Sequence, residues 1–517
     1  MLVFLAMAWM LGAQAAPAEI HFQIDDSKNR VAISPYIYGT NQPDWKGTAK
    51  YLTLTRVGGN RLTAYNWENN ASNAGNDYHF QNDGFMGGDD IAGEAMRKPT
   101  AEAFAAGASM IMTVPIAGYV SADKKGDGDV RKTPDYLSTR FYRTLPKKDR
   151  PFAYPPDTTD NVVYEDEFVH FMEQTFPNAH KAPRRTLFYC LDNEPALWSN
   201  THAEIHPAPL TYSELLQRSK EFASAIKAVA PKALVFGPAC YGWNGFQSLQ
   251  NAPDAHGRNF LDFYLAGMRD AEKSAGKRLL DVLDIHWYPE ARGGGKRITE
   301  SGSDPALIQA RLQAPRSLWD PDYKEDSWIT QYSTHAPIRL IPRLKEQIEK
   351  QYPGTRLAIT EYNYGGGGDI TGGIAQADAL GIFGREGLFA AALWSLSRDE
   401  RFTYGGFDMF RNYDGQGGAF GDVSVAAQTN DVERSSVYAS EDAHGPARMV
   451  VVVLNKTDQP LPADLSVRSR AAFHQMDIYQ LTAASPTPQT AGHQEIPPGG
   501  PIPYTLPPMS VSTLVLH

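Results

Sequence analysis

Two glutamates that follow apolar runs are the residues of this chain best suited to chemistry. Glu194 comes shortly after the charge-free run Leu187–Leu191 and is followed directly by Pro195. Glu361 follows a second short apolar run that begins at Leu357. Two carboxyl groups held about 5–5.5 Å apart across a glycosidic bond can hydrolyse it with retention, one as an acid and one as a nucleophile. The pair therefore indicates a retaining glycosidase.

Each apolar run predicts a strand that positions its glutamate. A short charge-free run bounded by turn residues fits a strand buried on both faces, as in a parallel sheet. Pro195 cannot donate to a strand ladder, so the first strand must end before it. A polar strand end alone is as often only a turn, and the second glutamate is what favours a site. In a barrel of parallel strands we expect both glutamates at the carboxyl-end rim, where catalysis takes place.

Eight apolar segments recur mostly at helix-length spacing, which predicts a (β/α)8 TIM barrel. Apolar residues at helical spacing predict helices over residues 213–229 and 341–351 between them. Residues 65–90 and 290–336 are predicted to be long loops that wall a cleft at the rim. The eight predicted strands are residues 36–39, 53–57, 109–116, 186–191, 234–237, 282–286, 357–360 and 388–394.

From residue 423 the sequence changes to short strands, several of them alternating, between proline- and glycine-rich turns. This pattern predicts a smaller all-β sandwich domain over residues 423–517. Residues 17–33 contain another alternating segment, which we assign to the same domain as its N-terminal strand. The catalytic barrel is then predicted to span residues 34–422. We expect the sandwich to support the barrel rather than bind glycans, because few aromatic residues occur in it.

Composition and the N-terminal segment bear on partners and compartment. A net charge of -10 argues against nucleic acid or an anionic membrane as a partner, and is compatible with a neutral polysaccharide. Residues 1–16 predict a signal peptide, although no Lys or Arg precedes the apolar stretch. We therefore expect a secreted or periplasmic protein. We also expect a monomer. Cys190 and Cys240 are predicted to be buried thiols, with a disulfide as the alternative.

The segments around both glutamates resemble glycoside hydrolase family 44, a family of β-1,4-glucan endoglucanases and xyloglucanases in barrel clan A. Residues 191–207, LDNEPALWSNTHAEIHP, resemble its acid/base segment, and residues 359–364, ITEYNY, resemble its nucleophile strand. The resemblance implies that Glu194 is the acid/base and Glu361 the nucleophile of an endo-acting β-1,4-glucanase. It extends through RVGGN at 56–60, YNW at 65–67, AALWS at 391–395 and RNYDG at 411–415.

The acid must carry a proton while the nucleophile stays ionised, so the two glutamates need different surroundings. The resemblance implies that Arg56 supplies a cation and Tyr288 a hydroxyl donor to Glu361. It also implies that Asn193 bonds the sugar 2-hydroxyl, a contact that strengthens in the transition state. The other residues predicted to bind or support the substrate are His286, Trp394 and Trp67, of which His286 and Trp394 have a purely structural alternative.

No glycine-rich phosphate loop or nucleotide fingerprint follows a predicted strand, so we predict no organic cofactor. An acidic segment with Asp157, Asp160 and Glu165 predicts either a structural calcium site or only a solvated polar loop. Two other functions stay open. One is a hydrolase of the same clan that acts on mannan or xylan. The other is a non-catalytic glycan-binding protein, which the presence of both carboxyl groups disfavours.

Overall fold

Eight parallel strands close into a barrel in the computed structural model, which describes residues 20–444 and 447–517. The strands follow one another around the barrel in chain order, so the (β/α)8 prediction is confirmed. Their residues are almost all buried, as expected for charge-poor strands covered on both faces. The barrel strands are Tyr36–Thr40, Leu54–Val57, Ser109–Val114, Leu187–Leu191, Leu234–Cys240, Val282–Trp287, Arg356–Tyr362 and Ala390–Leu393.

Helices follow every barrel strand except the first, which is joined to the second by residues 41–53 without a described helix. The two predicted helices are confirmed as Tyr212–Val229 and Leu340–Gln351. The side chain of Thr211 caps the former by accepting a hydrogen bond from the backbone of Glu214. The remaining α-helices are Glu94–Ala105, Tyr136–Thr139, Glu165–Thr175, Trp198–Thr201, Trp243–Ser248, Phe260–Ala275, Pro305–Gln313, Ile370–Arg385 and Arg401–Arg411.

The long rim segments contain more regular structure than a loop prediction implies. Residues 65–90 include the hairpin Ser72–Asn73 and Asn82–Asp83. Residues 290–336 include the helix Pro305–Gln313, which begins with an Asp304 cap and a proline at its first position. The other short elements are the strands Tyr119–Ser121, Phe141–Leu145, Val162–Tyr164, Arg292–Gly293 and Lys296–Arg297, the 3-10 turns Asn60–Ala64, Gly75–Asp77, Val130–Lys132, Pro195–Leu197 and Ala314–Leu318, and the π-turn Ile329–Ser333.

A ten-stranded mixed sheet forms the second domain and encloses its own core. Ile20–Asp25 pairs with Leu461–Arg468 in parallel and with Val423–Thr429 in antiparallel orientation. Buried residues from both halves of the sheet, such as Phe22 and Leu514, share one apolar cluster, and the β-sandwich prediction is confirmed. The other strands are Val31–Ala32, Ser435–Glu441, Met449–Asn455, Gln475–Thr482, Ser485–Glu495, Ile502–Leu506 and Ser510–Leu516.

The sandwich packs on the last helices of the barrel. Asp378 accepts a 2.6 Å hydrogen bond from the Tyr438 hydroxyl and lies 2.8 Å from the Lys456 ammonium, with both charges buried. Gly381 lies under the Tyr438 ring, where a Cβ atom would come within 2.2 Å of the ring. A side chain at position 381 would therefore push the two domains apart.

Cys190 and Cys240 are buried and unbridged, in agreement with the prediction of two thiols. Across residues 20–444 and 447–517, the structure contains no helix with the length and apolar character that a membrane crossing requires. The predicted signal peptide, residues 1–16, lies outside the described residues.

Candidate active site

The two glutamates meet at the carboxyl-end rim of the barrel. Glu194 lies three residues beyond the fourth strand, and Glu361 lies near the end of the seventh. One oxygen of each carboxyl group and a ring nitrogen of His286 all lie within 4.8 Å of one another. This spacing fits a retaining glycosidase and is shorter than the roughly 6.5–9.5 Å that an inverting enzyme needs for its water.

A strained turn directs Glu194 into the barrel mouth. Asp192 and Glu194 both adopt left-handed backbone conformations, with φ of 64° and 46°. Such conformations are costly for residues other than glycine and persist only where their surroundings impose them. Here the buried Asp192 carboxylate provides the anchor by accepting four hydrogen bonds. Its donors are Thr63 Oγ1 at 2.6 Å, Ile116 N at 2.6 Å, Asn193 N at 2.8 Å and Trp198 Nε1 at 3.2 Å.

Replacing the anchor should loosen this turn. In Asp192→Asn, the NH2 group of the amide would face groups that now donate to the carboxylate, so at least one of these buried donors would lose its acceptor. We expect unfolding to be easier by about 1–3 kcal/mol, measured as a lower midpoint of thermal unfolding. Asp89→Asn, at an exposed left-handed position that asparagine tolerates, is the matched control. An unchanged midpoint in Asp192→Asn would contradict the anchoring role.

Glu361 is surrounded by donors to its charged form. Arg56 Nη1 lies 2.7 Å from one carboxylate oxygen, and the Tyr288 hydroxyl donates to the other at 2.9 Å. Although burial opposes ionisation, the charges of His286 and Arg56 together with these hydrogen bonds hold the pKa of Glu361 below its ordinary value. Burial and the Glu361 charge raise the pKa of Tyr288 well above its ordinary value, so this hydroxyl remains a donor. Glu361 is therefore ionised.

Tyr288→Phe removes one donor from that carboxylate without changing the shape of the side chain. Because the bond to Tyr288 lowers the pKa of Glu361, its loss should raise that pKa. A carboxylate needed in its ionised form loses activity as pH falls through its pKa. We expect the acidic limb of the kcat/KM profile to move to higher pH. Tyr332→Phe, at a 77% exposed ring, should leave the limb in place. An unmoved limb in Tyr288→Phe would exclude this contact.

His286 bridges the two glutamates from within the barrel. Its Nδ1 lies 2.8 Å from Glu194 and 3.6 Å from Glu361. Burial disfavours the imidazolium, but the two carboxyl groups raise the pKa of His286 above its ordinary value. Two positions earlier on the same strand, the fully buried Asp284 accepts a 2.8 Å bond from Thr360, the neighbour of Glu361. These contacts bind the sixth and seventh strands together beneath the site.

Arg56 and Asn193 connect the two halves of the rim. Arg56 Nη2 donates to Asn193 Oδ1 at 2.7 Å, and the backbone nitrogen of Gly59 donates to the same oxygen at 3.2 Å. The carbonyl end of the Asn193 amide is thereby fixed, so its NH2 group is the end left to meet a ligand. Gly59, at φ 90°, also lies against Trp394, where a Cβ atom would come within 2.6 Å of the ring. The glycines of the RVGGN motif thus admit close approach of Arg56 and Trp394.

Seven of the eight residues predicted for catalysis or substrate support lie in this assembly, and Trp67 does not. Trp67 is 1% exposed and its ring packs on Phe168 and Phe171. No ring face is open to a sugar, so Trp67 is a core residue. Asp192 and Asp284 belong to the site although they were not predicted as site residues. A carboxylate within a largely apolar barrel strand is the signal that marks Asp284, because such residues are rarely buried unpaired.

A cavity of about 400 Å³ opens beside Glu194 and is here called the Glu194 cavity. Glu194 contributes to its wall, whereas Glu361 does not. Trp328, from the predicted cleft loop, borders this cavity. Trp319, from the same loop, instead lies under Arg385 with 4.1 Å between the guanidinium carbon and the ring centre. The other residues that line the Glu194 cavity are 241–244, Trp287, Tyr288, Glu290, Arg297, Thr299, Ile329 and Leu396.

The three residues predicted for calcium do not gather into one cluster in the described ranges. Asp157 and Asp160 both pair with Arg150, whereas Glu165 is buried and accepts from Thr144 at 2.8 Å. The calcium site therefore stays a prediction. The one group of acidic and histidine side chains close enough to hold an ion in those ranges is Glu194, His286 and Glu361.

Glu165 makes protein stability depend on pH. Burial raises its pKa to about 8, with the Thr144 bond opposing the shift. A carboxyl group whose pKa is raised by folding contributes stability below its unfolded pKa, and this contribution is lost as pH rises toward the folded value. The protein is treated with a chelator so that no bound metal contributes. We expect its thermal midpoint to fall as pH rises from about 4.5 to 8, and the midpoint of Glu165→Gln to fall less steeply over the same range. Equal slopes for both proteins would show that Glu165 is not the responsible group.

Comparison with known proteins places the whole chain among sugar-cleaving enzymes. The sequence profile of glycoside hydrolase family 44 matches residues 71–291. Endoglucanase A of Paenibacillus lautus is 44% identical over 97% of this chain and 73% of its own length. Beta-mannanase/endoglucanase A of Caldicellulosiruptor saccharolyticus is 42% identical over 92% of this chain, but the match spans only 37% of that larger protein.

Solved structures resemble both domains together. A family 44 xyloglucanase from Paenibacillus polymyxa has a TM-score of 0.92 at 40% identity, covering 96% of this chain and 99% of that one. A family 44 endoglucanase from Clostridium thermocellum has a TM-score of 0.91 at 41% identity, covering 97% and 100%. The similarity thus extends across barrel and sandwich.

Proposed function

The chain belongs to glycoside hydrolase family 44, and from this premise we propose how its two central glutamates cleave a β-1,4-glucan. The protein is an endo-acting glycosidase of β-glucans. We propose Glu361 as the nucleophile and Glu194 as the acid/base. The observation that carries this assignment is the asymmetry of the pair. Arg56 and Tyr288 hold Glu361 as a carboxylate, whereas Glu194 has neither donor and faces the open cavity.

In the first step, a Glu361 oxygen attacks the anomeric carbon while Glu194 gives its proton to the glycosidic oxygen. The bond to the leaving chain breaks as the bond to Glu361 forms, through an oxocarbenium-like transition state. The leaving chain departs with the proton that Glu194 supplied. Charge stabilisation by Arg56 is already in place before substrate binds, so no reorganisation is needed at the moment of reaction.

In the second step, Glu194 is a carboxylate and takes a proton from an incoming water. The water oxygen bonds to the anomeric carbon and the bond to Glu361 breaks, restoring both groups. Two inversions at one carbon give net retention. The free NH2 group of Asn193 is placed to bond the sugar 2-hydroxyl, and Trp394 to floor the sugar at the cleavage point. His286 orients Glu194 through its 2.8 Å contact.

Product analysis on a panel of soluble polysaccharides tests this proposal. We expect release of reducing ends from carboxymethyl cellulose and xyloglucan, with the β-anomer appearing first in a proton NMR time course. Appearance of the α-anomer first would overturn the double displacement. Mannan belongs in the panel because the Caldicellulosiruptor saccharolyticus relative carries mannanase in its name. Faster cleavage of mannan or xylan than of every glucan would favour the alternative substrate class.

We also propose that the protein acts as a monomer after export. A neutral polymer substrate is too large to enter cells, which agrees with the leader-like residues 1–16. Size-exclusion chromatography with light scattering and N-terminal analysis of secreted protein test the two statements. A cytoplasmic, unprocessed chain in its natural host would contradict export.

A further inference from the structure

The amino-end face of the barrel lies opposite the two glutamates and carries its cations on one side. Strands four to seven are neighbours around the barrel, so the segments that lead into them lie side by side. Those segments are residues 176–186, 230–233, 276–281 and 352–355. Together with the first residue of strand seven, they contribute Lys181, Arg184, Arg185, Lys232, Lys277, Arg278 and Arg356. The segments that lead into strands one, three and eight contain neither Lys nor Arg.

The acidic residues of the same segments are neutralised by other cations. Asp281 lies 2.7 Å from the Lys227 ammonium, and Glu386 lies 3.1 Å from the Arg385 guanidinium. Lys227 and Arg385 belong to the flanking helices Tyr212–Val229 and Ile370–Arg385, not to the segments themselves. This face therefore keeps an excess of positive charge, although the net charge of the whole chain is -10.

Two adjoining cavities cross this face and form a groove. Their volumes are about 760 and 400 Å³, and Tyr36, Arg356 and Phe389 line both of them. The two cavities together are here named the amino-end groove. Tyr36 and Phe389 are half-buried, and their rings contact each other edge to face with 5.3 Å between centres. The groove therefore has an aromatic floor and enough length for a linear ligand.

The charged side chains of the smaller cavity are all basic. Lys181, Lys232 and Arg356 line it and are exposed, with His180 beside them. Across residues 20–444 and 447–517, none of Lys181, Lys232 and Arg356 makes an ion pair with a carboxylate. Glu173, at the end of the preceding helix, is instead 3.0 Å from His180. The smaller cavity thus presents positive charge that the protein itself does not neutralise.

The larger cavity contributes little net charge, and Arg356 connects it to the smaller one. Its other charged residues, Lys345 and Glu349, have opposite signs. The Arg356 guanidinium lies over the Phe389 ring, 4.6 Å from its centre. Such a contact orients the planar guanidinium while its N–H groups remain able to donate.

We propose that the amino-end groove binds a single chain of an acidic polysaccharide whose sugar units carry carboxylates. A guanidinium can donate two parallel hydrogen bonds to a carboxylate, and lysine ammonium groups pair with further carboxylates along the chain. Apolar ring surface, here that of Tyr36 and Phe389, packs against the C–H faces of pyranose rings. The groove combines both kinds of contact, which a polymer of uronic acids needs.

The charge of the whole chain favours a thin ligand over a bulky one. Screening limits electrostatic attraction to roughly 8–10 Å at ionic strengths near that of the cell. A single polysaccharide chain stays within that distance of the basic segments. A membrane surface or a nucleic acid duplex extends beyond them and meets the acidic remainder of the protein.

Binding at this face leaves the catalytic rim open, because the two lie at opposite ends of the barrel. Retention on an acidic polymer that is mixed with a neutral glucan raises the effective concentration of enzyme near its substrate. The inference depends on the charged face alone and not on the proposed cleavage mechanism.

The test measures the dissociation constant of the full chain for polygalacturonate by thermophoresis. We expect binding that weakens at least about tenfold as salt rises from roughly 20 to 200 mM. Fully methyl-esterified polygalacturonate has the same backbone without the charge and should not bind. Equal binding of both polymers, or binding of neither, would overturn the proposal. Tighter binding of a DNA duplex or of phosphatidylserine vesicles would overturn the choice of ligand.

The triple variant Lys181→Gln/Lys232→Gln/Arg356→Gln locates the site. We expect its dissociation constant for polygalacturonate to rise at least about tenfold, because three cations of the groove are lost. Hydrolysis of xyloglucan, a neutral polymer, should stay within about twofold of wild type and so reports an intact barrel. The double variant Lys181→Gln/Lys232→Gln keeps Arg356 on Phe389 and should weaken binding in the same direction, but less.

A matched control separates the groove from the overall charge. Lys125→Gln/Lys132→Gln/Lys324→Gln removes the same number of charges from exposed lysines in segments that follow strands three and six. We expect this control to bind polygalacturonate as wild type does. Equal weakening in the control and in the groove variant would show that only the net charge matters. Unchanged binding in the groove variant would overturn the assignment of the groove.

Discussion

Glu361→Gln is expected to lower kcat on any β-1,4-glucan by on the order of 10⁴-fold or more, which is about 5 kcal/mol of barrier or more. The amide cannot attack the anomeric carbon, so the glycosyl-enzyme does not form. Its NH2 group would also face either the Arg56 guanidinium or the Tyr288 hydroxyl, both of which now donate to Glu361. The measurement is the rate of reducing-end release from carboxymethyl cellulose.

The fold must be checked separately, because Arg56 is fully buried and loses its charged partner in this variant. Its bonds to Asn41 and Asn193 remain, so we expect a lower thermal midpoint but a folded barrel. Glu349→Gln, at an exposed glutamate on the helix Leu340–Gln351, is the matched control and should keep full activity. A Glu361→Gln enzyme with near wild-type turnover would remove Glu361 from the mechanism.

Glu194→Gln is expected to lower turnover of glucans by about 10²–10⁴-fold, the usual effect of losing general acid catalysis. The loss should depend on the leaving group. A glucan chain leaves as a poor alkoxide without a proton, whereas dinitrophenolate leaves unaided. We therefore expect the formation of glycosyl-enzyme from 2,4-dinitrophenyl β-cellotrioside to be slowed far less, measured as the burst of dinitrophenolate. An equal loss on both substrates would show that Glu194 is not the acid.

The second half-reaction gives an independent signature of Glu194. In Glu194→Ala, no carboxylate remains to activate water, so the glycosyl-enzyme should accumulate. Azide is a good nucleophile without a proton to remove and fits the space left by the side chain. Added azide should therefore raise turnover of the dinitrophenyl substrate and yield the β-glycosyl azide. An α-glycosyl azide, or no rescue, would contradict the assigned geometry.

The barrel could be predicted because its strands carry an unusually clear signal. Short charge-free runs such as Leu187–Leu191 fit a strand covered on both faces, and the residues between the runs are numerous enough for the outer helices. The sandwich was predictable for a related reason, since alternating strands from Val423–Thr429 onward bury one face each. The helix Pro305–Gln313 inside residues 290–336 was not predicted. Its start does carry a sequence signal, the Asp304 cap followed by Pro305.

The site was predictable where a residue ends a strand and not where tertiary contact decides its role. Glu194 and Glu361 follow from strand ends, which a barrel brings to one rim, whereas Arg56 and Tyr288 were implied by the family resemblance. Trp67 and Trp394 look alike in sequence, but the first packs on Phe168 and Phe171 while the second lies beside Gly59. Nothing local distinguishes a ring that will be covered by a later helix from one that stays half-buried at the rim.

The most direct test of the central claim is to trap the covalent intermediate. With 2,4-dinitrophenyl 2-deoxy-2-fluoro-β-cellotrioside, the fluorine disfavours the oxocarbenium-like transition state of both steps, while the dinitrophenolate leaving group keeps the first step fast. We expect the intact mass of the protein to rise by one fluoro-trisaccharide unit, and peptide mapping to place the label on Glu361. A label on Glu194 or on any other residue, or turnover without a stable adduct and with inverted product, would contradict the account.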